Sequence, residues 1–140
     1  MTAIIINLLV SILFGSLAGA IVSHLFAKTR EDAARQYARA VARETRKSDF
    51  LAFMDGWRTE IERLNLHFVA DQFNANCAAF RREATKIRSD YGAKFWELVE
   101  GLSALRSGEI EQGSNQGDNA PGKLKLLARL DAVVNFVDRN

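Results

Sequence analysis

The chain has one cysteine and two histidines among 140 residues, and no residue between Ala3 and Ala27 carries a formal charge. Each scarcity excludes something. A single thiol, Cys77, cannot build a disulfide framework within one chain, which fits a reducing compartment. His67 and Cys77 are the only soft metal ligands beyond the apolar N-terminus, and they stand ten residues apart. No Glu-x-x-His pair accompanies them, so neither a zinc site nor a di-iron bundle is indicated, and no cofactor is expected. No segment sustains the apolar–polar alternation of a strand. The fold class read from these patterns is all-α: an N-terminal transmembrane helix, a basic helical connector and a small four-helix cytoplasmic bundle.

Residues 1–27 read as the transmembrane anchor. Twenty-five uncharged residues at about 1.5 Å each exceed a hydrocarbon core of roughly 30 Å, and Ile4 to Val22 is the stretch expected inside it. Ala18-Gly19-Ala20 resembles a cleavage site. However, no Lys or Arg precedes Lys28, and apolar residues continue through Ile21, Val22, Leu25 and Phe26, so an uncleaved signal-anchor is expected. Lys28, Arg30, Arg35, Arg39, Arg43, Arg46 and Lys47 follow the apolar run. That asymmetry predicts the N-terminus outside and the C-terminal domain in the cytoplasm, a single-pass topology in a bacterial inner membrane. Ser11, Gly15, Gly19 and Ser23 recur every fourth residue, the spacing that lets two helices approach closely in lipid. A homodimer through the span is the partner this row predicts.

Residues 28–48 hold seven basic and three acidic residues, and residues 49–140 hold twelve and fourteen. Positive charge therefore gathers beside the apolar run, which argues for an anionic lipid surface and against nucleic acid. Lys28 to Lys47 has no Gly or Pro and should be helical. On a helix turning about 100° per residue, Lys28, Arg35, Arg39 and Arg46 share one face, with Arg43 and Lys47 close by. These six are the expected lipid contacts. Ala33, Tyr37 and Val41 lie opposite as a thin apolar strip.

The third region is 49–140. Ser48 is placed to cap a new helix bearing Phe50, Phe53, Met54, Trp57, Ile61 and Leu64 on one face. Asn65 to Asp71 reads as a junction. Phe73, Cys77, Phe80, Ala84, Ile87 and Tyr91 mark a second helix, and Gly92 punctuates it. Phe95, Leu98, Val99, Leu102 and Leu105 mark a third. Leu126, Leu127, Leu130, Val133, Val134 and Val137 mark a fourth, from about Lys123. Between the last two, residues 107–122 are rich in Gly, Asn, Gln and Ser and read as a flexible loop.

Gly117-Asp-Asn-Ala-Pro-Gly122-Lys123 copies part of a phosphate-binding loop, but Leu124 replaces the magnesium-binding hydroxyl and no strand precedes it, so the match is coincidental. Cys77 lies on an apolar stripe and reads as an inert core thiol. His67 reads as a junction or capping residue. Arg81, Arg82, Lys86 and Arg88 read as a solvated face. No catalytic residues are assigned. The reading of function is a membrane-anchored interaction or scaffolding protein whose partners are the bilayer, a second copy and a cytoplasmic protein. The alternatives are a membrane-bound enzyme or metal-binding bundle, and a lysis or toxin component.

Overall fold

The computed structural model describes the backbone of residues 2–140 and the side chains from Gly19 onward. Four α-helices and one 3-10 helix follow in order: α1 Thr2–Arg63, α2 Leu66–Ser103, α3 Ser107–Ile110, the 3-10 helix Ser114–Asn119, and α4 Pro121–Arg139. There is no strand among the described residues. The chain divides into two compact units, residues 1–42 and residues 43–140.

The transmembrane assignment is overturned. Among the described residues no helix is long and apolar enough to cross a membrane. A spanning helix needs about 20 consecutive, mainly apolar residues. The described side chains supply only Gly19–Ala27 before Lys28, Arg30, Glu31 and Asp32 arrive on the same helix. The transmembrane, single-pass and signal-anchor readings fall with it. So do the inner-membrane location and the opposed placement of the termini. Ser11 and Gly15 lie outside the residues whose side chains are described. A second correction concerns Ser48. It starts no helix, because α1 passes through it unbroken. No Gly or Pro lies between Lys28 and Asp55 to stop propagation, and a cap acts only where the preceding residue leaves helical geometry.

In unit 43–140 the core is assembled from four apolar stripes. α1 contributes Phe50, Met54, Trp57 and Ile61, each at most 4% exposed. α2 contributes Val69, Phe73, Cys77, Phe80, Ala84 and Ile87, then Phe95, Val99 and Leu102, and α4 contributes Leu126, Leu130, Val133 and Val137. Spacings of three and four keep each set on one helical face. Aromatic rings lock the centre. Trp57 meets Phe80 at 5.5 Å between centroids, Phe50 meets Phe95 edge-on at 5.8 Å, and Phe95 stacks on Phe136 at 6.4 Å.

α2 reverses at Gly92. Its φ of 75° and ψ of −160° lie in a region only glycine enters cheaply. The reversal is visible in the ion pair between Arg81 and Glu100. A straight helix would hold residues nineteen apart some 28 Å from each other, at about 1.5 Å per residue. The two arms, 66–91 and 93–103, therefore lie against one another. A Cβ at Gly92 would meet nothing within 4 Å, so the cost of Gly92→Ala is torsional alone. That substitution is expected to destabilise by about 2 kcal/mol. Urea unfolding should show a lower midpoint with an unchanged slope, and an unchanged midpoint would mean the turn tolerates a side chain.

The stretch 107–122, read from composition as a flexible loop, follows two short helical turns. Ile110 is 1% exposed and Ala120 is fully buried, which anchors both ends in the core. Ser107 Oγ donates to the Ala70 carbonyl at 3.2 Å. Gly122 N–H donates to Gln112 O at 3.0 Å.

Candidate functional site

The six basic residues expected to share one role divide between two. Arg43, Arg46 and Lys47 belong to the 43–140 unit and are tied into it. Arg46 forks onto Asp90 with contacts of 2.9 to 3.2 Å, and the Asp90 side chain is only 15% exposed. Lys47 Nζ donates to Asp138 O at 3.1 Å and Arg43 to Asn140 O at 3.4 Å. These are carbonyls at the C-terminal end of α4, where unpaired acceptors and the helix dipole favour cations. The Arg43 guanidinium also sits 5.5 Å from the Tyr91 ring centre. All three are thus explained by contacts inside the domain.

Lys28, Arg35 and Arg39 differ. They lie in unit 1–42, where every described side chain is exposed. Arg35 pairs with Glu31 one turn earlier at 2.5 Å, a contact of two exposed groups worth a few tenths of a kcal/mol, roughly. The opposite face carries Gly19, Val22, Ser23, Phe26, Ala33 and Tyr37, with Arg30 set among them four residues after Phe26 and three before Ala33. Phe26 is 66% exposed and Tyr37 is 74%. Ile21 and Leu25, also exposed, lie on the side of Lys28 and Arg39, so apolar surface is left in water on both faces and the strip is the richer of the two.

The resemblance to a phosphate-binding loop dissolves into packing. Gly122 is glycine because a Cβ there would meet Ile110 O at 2.1 Å. Gly117 is glycine because its φ is 59°. Lys123 is buried, with Nζ 2.5 Å from Asp118 Oδ1 and 3.4 Å from Glu62 O. It holds the C-terminal end of α1, as a cation at a helix C-terminus should. The hydrogen bond to Lys123 holds the Asp118 carboxyl below its usual range. Around this pair lies a cavity of about 480 Å³, walled by the α1–α2 junction and the 3-10 helix. Nothing in the primary structure signals it, because its walls come from segments about fifty residues apart.

The remaining candidates have local explanations. Burial pushes the Cys77 thiol up to about 11, which leaves it protonated and unreactive at neutral pH. Asn65 caps α2 by accepting from His67 N–H at 2.9 Å, and His67 Nδ1 lies 3.4 Å from Glu111 Oε1. Of the second basic group, Arg81 pairs with Glu100 and Lys86 with Glu83, while Arg88 lies 4.4 Å from the Trp96 ring centre. Trp57 is core at 4% exposure. Trp96 is half-buried at its edge. No group of three His, Cys, Asp or Glu among the described residues is arranged to hold a metal ion. Comparison of the chain with protein-family models, curated proteins and solved structures finds no match.

Proposed function

We propose that the chain is a non-catalytic interaction protein in which two copies pair along the N-terminal part of α1. Each copy then carries a helical domain, residues 43–140, available to a further protein partner. The observation that carries this reading is the exposed apolar strip of unit 1–42, with Phe26 and Tyr37 two-thirds or more in water. Burying a large apolar side chain contributes about 1.5–3 kcal/mol, so Val22 and Phe26 from both copies would offset much of the cost of association. Gly19, Ser23 and Ala33 on the same face keep the helices close. Lys28, Arg35 and Arg39 lie on the far side, where like charges of two copies stay apart, while Arg30, on the strip itself, must extend its guanidinium past the partner helix into water.

Cross-linking tests the pairing directly. In a Cys77→Ala background, oxidation of Ala33→Cys should give a disulfide-linked dimer, because Ala33 sits on the strip. Arg35→Cys, on the basic face, should remain monomeric on a denaturing gel. Equal cross-linking from both positions, or none from Ala33→Cys, overturns the reading.

A further inference from the structure

The polar cavity at the α1–α2 junction has no part in the proposed pairing, which concerns the other unit. Its walls include Arg63, Asn65, His67, Asn115, Asp118 and Lys123. At about 480 Å³ it falls within the size range of small-molecule sites. Its central feature is asymmetric. The Lys123 side chain is 9% exposed, whereas its carboxylate partner, Asp118, is 91% exposed. An ammonium has three N–H donors. Lys123 directs one to Asp118 and one to the Glu62 carbonyl, and the side chain lines the cavity. Glu62, the other acid on the wall, is already matched by Arg58 at 3.0 Å. Lys123 and Arg63 therefore outweigh Asp118 in local charge.

Asp118 is also built to leave. It stands next to Gly117, whose φ is positive, in a turn that opens at Gly113 with a φ of 71°. Its side chain is already in water, so turning it away from Lys123 uncovers only the ammonium. A buried cation whose counter-ion is solvent-exposed, beside a cavity lined by Asn and Ser, has the chemistry of an oxyanion site held closed by its own carboxylate.

We propose that this cavity binds the carboxylate or phosphate group of a small anionic molecule, which takes the place of Asp118 on Lys123 and is held in addition by Arg63. The probes are inorganic phosphate and, separately, succinate, added to the full chain at constant ionic strength with chloride as the balancing anion. Amide NMR shifts are the readout. Saturable shifts confined to residues 63–67 and 114–123 are expected with at least one probe, and which probe saturates distinguishes the phosphate from the carboxylate source.

Asp118→Asn removes the internal competitor and should tighten binding about five-fold, while Arg63→Gln should weaken it by a similar factor. Arg63 is exposed, and asparagine at 118 keeps an oxygen that can accept from the Lys123 ammonium, so both variants should fold. Shifts that never saturate or scatter over all basic residues overturn the proposal, and so does an Asp118→Asn variant that binds no tighter.

Discussion

Phe80→Ala is expected to lower the unfolding free energy of the 43–140 domain by about 4 kcal/mol, near the upper end of what a single core truncation costs. Phe80 has no exposed surface. Its ring meets Phe50 at 6.2 Å and Trp57 at 5.5 Å, so one deletion strips contacts from α1 while hollowing α2. The loss has two parts: transfer free energy of the ring, and the void left because Phe50 and Trp57, both fixed on α1 about two turns apart, cannot both close in. A domain of this size is stable by roughly 5–15 kcal/mol. The variant should therefore unfold at a much lower urea concentration and gain mobility at Phe50 and Trp57. Trp57 fluorescence is the natural probe, and a midpoint close to that of the parent protein would show that the core collapses around the gap.

Gly122→Ala should be nearly as damaging, by a different mechanism. The added methyl group would stand 2.1 Å from Ile110 O, 2.5 Å from Glu109 O and 2.6 Å from the Ile110 carbonyl carbon. All three are backbone atoms, so no side chain can rotate away and α4 must lift from α3. Lifting breaks the Gly122 N–H bond to Gln112 O and carries Lys123 off Asp118 and the Glu62 carbonyl. A cost of about 3 kcal/mol is expected from such overpacking. Gly56→Ala is the control: a Cβ there meets nothing within 4 Å in an exposed stretch of α1, so stability should hold or rise by up to about 1 kcal/mol. Equal melting temperatures for the two variants would contradict the close approach at Gly122.

Much of the domain is legible from spacing. Phe50, Met54, Trp57 and Ile61 are buried where the 3–4 pattern places them, as are Phe73, Phe80, Ala84 and Ile87. Burial of one helical face is a local property, repeated along the chain, and needs no knowledge of the partner helix. Spacing is less sure at stripe edges. Leu64 follows the same pattern but is 43% exposed, because α1 ends one residue before it. Gly92 punctuates as composition implies, yet only its φ and ψ show that the chain doubles back there.

Charge was less legible than apolarity. Arg43, Arg46 and Lys47 share a face with Lys28, Arg35 and Arg39, and composition assigns all six one anionic partner. The carboxylate and carbonyls that engage the first three lie on α2 and at the end of α4, about 45 to 97 residues away. An ion pair is defined by what stands opposite, and that depends on packing. The N-terminal apolar run misled in a related way. Hydropathy measures the free energy gained on leaving water but does not name the surface that receives the side chains. Ser48 failed as a boundary for lack of any helix breaker before it.

Residue order by itself settled the all-helical class, the stripes that become the core and the placement of Cys77 on one of them. These follow from periodicity and local chemistry, which act over one or two helical turns. Tertiary packing alone decided the internal engagement of half the basic stripe and the need for glycine at Gly122. It alone assembled the cavity around Lys123. Each of those depends on groups brought together from distant segments, and their meeting is set by how whole helices pack.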